Sequence, residues 1–232
     1  VQDYTLDFIN HSQSSTDKEI CGLVINDKYY PCSNISEDPH NFIMDPIDYA
    51  KYSSLGTIDL ICHSHLGISC RPTQADIHSC NAGSTTWAIC SAVSRDIYYL
   101  VPNSIEIPLL GREYSFGTTD CWGLISDVLK YEKNINVGRL LVTSKEWYTN
   151  GLNILEEHSE EYGFKKINFS EAKKYDIILF KSGKSKVPNH VGILHDNGTF
   201  LHHCENRLST RDAFGGYWNK CAVAVYRHKD LV

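Results

Sequence analysis

The chain has 232 residues, a length that fits one large domain or two small ones. Apolar residues make up 42% and charged residues 22%, ordinary globular usage that excludes a disordered polymer and gives each half enough to bury a core. Lys plus Arg number 22 against 28 Asp plus Glu, and the net charge of -6 speaks against a phosphate-tracking surface, so no nucleic-acid partner is expected.

Val1 to Asn10 carries acids in place of the basic region and apolar run of a signal peptide, and no stretch approaches the length of a membrane span. A soluble chain made in the cytoplasm, without membrane insertion, is the expectation. Asp3 to Ser12 sets Tyr4, Leu6, Phe8 and Ile9 near helical spacing and predicts a first helix, followed by the polar run Ser12 to Lys18. Ile20 to Ile25 and Lys28 to Cys32 flank Asn26 and Asp27, which predicts a hairpin with a tight turn. Asp45 and Pro46 open a capped helix to Ser54, Ile58 to His63 reads as a buried strand, and Thr73 to Asn81 as a helix. Thr85 to Val93 and Asp96 to Val101 complete the half as strands.

Pro102, Pro108, Gly111 and Gly117 mark a linker, and the boundary falls near residue 105, giving domains of residues 1–105 and 106–232. Beyond it, Cys121 to Lys133 aligns Cys121, Leu124, Ile125, Val128 and Leu129 on one helical face with Asp120 as N-cap. Ser144 to Tyr162 reads as a second, acidic helix. Tyr175 to Lys181, His190 to His195, Thr199 to His203 and Ala222 to Arg227 read as short strands, with an Asn197-Gly198 turn between the middle two. The fold class expected is α+β in two domains. The nine cysteines are odd in number and scattered, which points to a reducing compartment.

Two groups of residues carry chemistry. His63 and His65 are two apart on a strand end, so both imidazoles leave the same side. If Thr73 is the N-cap of the next helix, Asp76 is at its third position and faces back toward that strand end. Two nitrogens and a carboxylate leave the fourth tetrahedral position of a zinc ion for water, as in catalytic sites. Glu19, at the head of the first strand, is placed to move a proton there. Thr73 to Asp76 also fits a capping box, and His78 and Cys80 read as passengers outside the site.

The run Glu19-Ile20-Cys21-Gly22-Leu23-Val24, then His63-Ser64-His65 and Thr73-Gln74-Ala75-Asp76, resembles the JAMM/MPN family of zinc peptidases. The resemblance implies a curved sheet flanked by helices, Zn2+ on His63, His65 and Asp76, Glu19 as general base, and a role near the tetrahedral intermediate for Ser64 or Thr73. Thr73 stands where the family usually has Ser, and Leu66 where phage and bacterial members often have Pro.

In the second half, Cys121 begins a predicted helix whose free N–H groups and dipole favour thiolate. His190 is a candidate base, and His202, twelve residues on across the Asn197-Gly198 turn, can orient it. Asp120-Cys121-Trp122-Gly123-Leu124, Tyr175-Asp176-Ile177-Ile178-Leu179-Phe180 and Asn189-His190-Val191-Gly192-Ile193 resemble the NlpC family of papain-like cell-wall peptidases. That resemblance implies Cys121 as nucleophile, His190 as base and His202 as third polar residue, with His203 the alternative that strand parity disfavours. Tyr114 matches an upstream tyrosine that helps with the oxyanion, and Trp122 stands where a small polar residue is common, which bears on substrate fit.

The tandem order is similar to that of tail-tip assembly proteins of lambda-like long-tailed phages. It implies other tail-tip proteins and bacterial peptidoglycan as partners, the virion tail tip and the host cytoplasm during assembly as locations, and cleavage of stem-peptide amides next to a D-glutamyl residue. A purely structural tail-tip subunit with unused sites is one alternative. A cellular JAMM isopeptidase acting on ubiquitin-like modifiers is another, which the wall-peptidase half counts against.

Overall fold

The computed structural model describes residues 4–140, 142 and 146–231. The chain divides into two compact units, Val1–Ile107 and Pro108–Val232, each built on a sheet of its own.

The first unit runs α1 (Tyr4–Gln13), β1 (Cys21–Ile25), β2 (Lys28–Cys32), α2 (Pro46–Ser53), β3 (Ile58–His65), α3 (Gln74–Asn81), β4 (Thr86–Ser91) and β5 (Ile97–Leu100). The expected helix start at Asp3 lies outside the described residues. Asn26 and Asp27 take φ of 52° and 58°, the left-handed values that a two-residue turn between twisted strands requires, and Ile25 pairs with Lys28. Asp45 caps α2 by accepting from the Ile47 N–H, and Pro46 sits in the first turn, where its missing N–H is no loss.

Strand order is β2-β1-β3-β4-β5, with β3 and β4 parallel and the other pairs antiparallel. A tight turn cannot join parallel neighbours, so the chain crosses over through α3, and this crossover carries Asp76 back over the end of β3. Phe8 of α1 packs with Val24, Cys62, Ala88 and Cys90 on one face, while Ile77 and Cys80 of α3 pack with Trp87 and Ile89 on the other. Each fully buried side chain such as Phe8 contributes about 2 kcal/mol. Strand alternation then sends Cys62 and Ser64 toward α1, and His63 and His65 toward α3. β3 continues to His65, past the expected end at His63, because Ser64 and His65 still pair with Cys90 and Ser91. The apolar signal stops earlier because those positions carry polar groups.

The second unit contains α4 (Cys121–Lys133), α5 (Ile154–Glu161), β6 (Phe164–Ile167), β7 (Ile177–Phe180), β8 (His190–Leu194), β9 (Thr199–His202), β10 (Thr210–Ala213), α6 (Gly216–Cys221) and β11 (Ala222–His228). Its sheet is antiparallel throughout, in the order β10-β9-β8-β7-β11-β6. Leu124, Ile125, Val128 and Leu129 of α4 cover Leu179, Val191, Ile193 and Leu201 on one face. Ile178, Phe180, Phe200 and Val225 form the other core, closed by Trp218 of α6.

The helix expected over Ser144 to Tyr162 is much shorter. Its start lies outside the described residues, Glu146 to Gly151 forms turns, and Gly151 at φ 77° breaks the helical path before α5 begins at Ile154. Two strands absent from the sequence reading, β6 and β10, are the two edges of this sheet. Edge strands are short and charged, which avoids pairing with other chains and also erases the alternation that marks a strand.

Residues 108–117, expected as linker, are bound into this unit. Arg112 is only 1% exposed, pairs with Asp127 at 2.5 Å, and donates Nε–H to the Pro108 carbonyl at 2.6 Å. The Gly111 N–H reaches the Ser209 carbonyl and the Arg112 N–H the Ser209 hydroxyl, both at 2.9 Å. Gly123 closes the approach: a Cβ there would lie 1.9 Å from the Thr118 carbonyl oxygen, so only glycine lets the preceding loop fold onto the first turn of α4. Cys121 is fixed by this packing.

Candidate functional site

At the end of β3 three ligand-type atoms converge. His63 Nε2 lies 3.1 Å from Asp76 Oδ1, His65 Nε2 lies 3.2 Å from Asp76 Oδ2, and the two Nε2 atoms are 3.3 Å apart. The Ser69 carbonyl, 3.1 Å from His65 Nδ1, takes the proton of that nitrogen and leaves Nε2 bare toward the cluster. A tetrahedral zinc with bonds near 2.05 Å sets its ligand atoms about 3.3 Å apart, so the donor set fits that ion in type and spacing. The capping box is formed, and it leaves one oxygen of Asp76 toward the histidines. Oδ2 accepts from the Thr73 N–H and hydroxyl, each at 2.7 Å, while Thr73 Oγ1 accepts from the Asp76 N–H at 3.1 Å, and Oδ1 is left for His63. Burial opposes charge on Asp76, but His63, His65 and Thr73 outweigh it and hold the carboxyl well below the usual range.

Phe42 stacks on His63 at 4.6 Å and Trp87 meets it edge-on at 5.5 Å, leaving the ring fully buried, whereas His65 keeps part of its edge in solvent. Glu19 is 6% exposed; burial pushes its carboxyl up to about 8, with His65 lowering and Asp76 raising it. Of the two hydroxyls expected near the site, Thr73 is at the ligand atoms. Ser64 is not: it faces away from His63 and His65, and its Oγ accepts from the Ile20 N–H at 3.0 Å, tying the strand to the segment that carries Glu19.

In the second unit, His190 Nε2 and His202 Nδ1 are 3.0 Å apart, and His202 Nε2 is 3.1 Å from Asp212 Oδ2. Gly192 pairs with His202 across the strands, so His190, two residues earlier, meets His202 on the same face. Trp218 packs edge-on to His202 at 4.6 Å, and Phe200 stacks on it at 4.5 Å. Cys121 is the first residue of α4, and the Val191 N–H, next to His190, interacts with its thiol. His203 diverges: its Nε2 is 3.1 Å from the Arg207 carbonyl and its ring lies edge-on to Tyr114 at 5.2 Å. Tyr114 feels the Cys121 thiol, and burial raises its hydroxyl strongly.

Asp212 is the residue that sequence reasoning missed. It sits on the unpredicted edge strand β10, ten residues past His202, and supplies the carboxylate behind the imidazole pair. A second expectation changes as well. The helix start alone favours thiolate at Cys121, but burial pushes the thiol up and Asp120 adds to that, with the Val191 and Trp122 N–H groups pulling less strongly the other way. Trp122 turns into the core, 1% exposed, and donates its indole N–H to the Gly138 carbonyl at 2.7 Å, so it does not line a substrate path.

Burial, with His202 and His203 adding to it, lowers His190 to about 3, and burial takes His203 down to about 4. Unfolded histidines titrate near ~6.5, so between these values the unfolded chain binds protons that the folded chain refuses. Stability is therefore full above about pH 6.5 and is lost as pH falls toward about 4 and then 3, by on the order of a few kcal/mol. Thermal melts from pH 7 to 4.5 are expected to show the midpoint falling, with a shallower fall in His203→Gln. A flat profile in the parent chain would contradict the buried neutral histidines.

The NlpC/P60 family pattern matches residues 111–227. The chain is 31% identical over 228 residues to Tail tip assembly protein K of Escherichia phage N15, covering 95% of this chain and 92% of that protein. It is 28% identical over 187 residues to Tail tip assembly protein K of Escherichia phage lambda, covering 80% and 89%. An NlpC/P60 family protein from Bacillus cereus aligns in structure at a TM-score of 0.37 and 13% identity, over 94% of this chain and 66% of that one.

Proposed function

The chain belongs to the NlpC/P60 family, and from that membership we propose that its second unit hydrolyses stem-peptide amides of bacterial peptidoglycan as part of a phage tail tip. The observation that carries this reading is the line Asp212, His202, His190, with the N–H of the next residue, Val191, on the Cys121 thiol. The Asp212 carboxylate can only accept, so His202 donates its Nε2 proton there and leaves Nδ1 bare. His190 must then donate from Nε2, which leaves its Nδ1 as the free lone pair. A neutral base and a protonated thiol follow from the burial of both groups.

Proton transfer therefore accompanies attack. As Cys121 Sγ bonds to the amide carbon, its proton passes to His190 Nδ1, and from there to the departing amine. Water then cleaves the thioester with His190 again as base, regenerating the thiol. The Tyr114 hydroxyl, held protonated by burial beside Cys121, is the oxyanion donor in this reading. Cleavage next to a D-glutamyl residue is the proposed specificity, with other tail-tip proteins as partners at the virion tail tip and in the host cytoplasm during assembly. Incubating the purified protein with purified peptidoglycan is expected to release soluble peptides with new amino termini. Release no greater than from heat-denatured protein would overturn the proposal.

For the first unit we infer a JAMM/MPN-like zinc peptidase, supported by the 3.1 to 3.3 Å spacing of His63, His65 and Asp76. Zinc bound there would supply a Lewis acid to an amide carbonyl. The chain's own part is to fix the donors through the Thr73 box, to keep water off the buried His63 ring, and to hold and move a proton at Glu19. Metal analysis is expected to find about one zinc fewer per chain in Asp76→Ala than in the parent protein. Equal zinc in two well-folded proteins would remove the site.

A further inference from the structure

The sulfur of Cys204 belongs to neither proposed reaction, yet it lies 3.4 Å from His202 Nδ1 and 3.8 Å from His190 Nε2. With the 3.0 Å separation of the two nitrogens, these make a compact triangle of one thiol and two imidazoles. Zinc bonds of about 2.05 Å to nitrogen and 2.3 Å to sulfur put tetrahedral ligand atoms roughly 3.3 to 3.6 Å apart, close to this triangle. Cys204 is partly exposed just past the end of β9, which gives an ion a way in. Asp212 already holds His202 Nε2 from behind, the carboxylate-to-histidine support that metal-ligating imidazoles commonly have.

We propose that His190, His202 and Cys204 form a second, inhibitory Zn2+ site superposed on the base of the cysteine hydrolase. The inhibitory part rests on the hydrolase reading; the metal site does not. Coordination uses His190 Nε2, so the proton on that nitrogen must move to Nδ1. Cys204 loses its thiol proton to solvent, His202 keeps its proton on Nε2 toward Asp212, and one proton is released per ion bound. His190 then carries hydrogen on Nδ1 and metal on Nε2, with no lone pair left to take the Cys121 proton. The hydrolase would be silent while metal is bound and recover when it is removed.

The test uses cobalt(II) as a probe, because a thiolate bound to cobalt absorbs in the near ultraviolet and the His63, His65 and Asp76 set contains no thiol. Titrating the full-length chain is expected to bring this absorption to its plateau within two equivalents, one for each proposed site, to give it equally in Cys121→Ala, and to lose it in Cys204→Ala and Cys204→Ser. In parallel, zinc should inhibit peptidoglycan hydrolysis by the parent chain reversibly with a chelator, and the two Cys204 variants should need at least about 10-fold more zinc. Absorption that survives in folded Cys204 variants, vanishes in Cys121→Ala, or never forms would overturn the site. Should the parent chain cut no peptidoglycan, the cobalt absorption still decides the metal site, so the two failures are told apart.

Discussion

Cys121→Ala is expected to lower kcat for peptidoglycan hydrolysis by about 10⁶-fold while leaving the fold intact, since nucleophile and base act as one unit. The residue opens α4 under packing set by Gly123 and the Arg112–Asp127 pair, none of which needs the sulfur. His190→Ala is expected to fall to a similar level, and the double variant hardly further, because a base without a nucleophile contributes nothing. Cys204 offers no substitute. Its sulfur lies by His202 Nδ1 and His190 Nε2, whereas the free lone pair of the base is on His190 Nδ1. Measured by release of new amino termini, residual activity within tenfold of the parent chain would exclude Cys121 as nucleophile.

The second large effect is expected from Asp212→Asn, a drop of roughly 10³- to 10⁴-fold in kcat with KM little changed. Asparagine preserves size but can turn its NH2 toward His202 Nε2, which moves the His202 proton to Nδ1. Two N–H groups would then oppose each other across the 3.0 Å gap to His190, unless His190 shifts its proton to Nδ1 and ceases to be a base. Asp212→Glu, which restores an acceptor, should recover part of the loss. A merely structural aspartate would instead lower the melting temperature and leave kcat close to normal.

What was legible in the sequence was local. The convergence at the end of β3 rests on a two-residue strand period and a three-residue capping box, both confined to short windows, so His63, His65 and Asp76 are brought together as their spacing implies. The His190 and His202 pair was legible for the same reason, since a hairpin sets its cross-strand neighbours. Asp212 was not, because Thr210-Arg211-Asp212-Ala213 has no apolar alternation and becomes a strand only by pairing with β9. Nor were the states of the Cys121 thiol and the Trp122 ring, which depend on partners distant in sequence, Val191 for the thiol and Gly138 for the indole. Ser64 lies on the strand face opposite the histidines, and its role depends on a hydrogen bond from Ile20 that no spacing records.

The edge position of β10 makes the support of the two imidazoles a local property of this unit. Among the described residues β10 is bonded on one side only, to β9, whereas β8 has a strand on each side. Edge segments open at a fraction of the free energy of global unfolding, and when β10 lifts away the carboxylate that aligns both imidazoles leaves with it. Mild heat should therefore switch the hydrolase off while α4 and β8 remain folded, and cooling should restore it without refolding of the core.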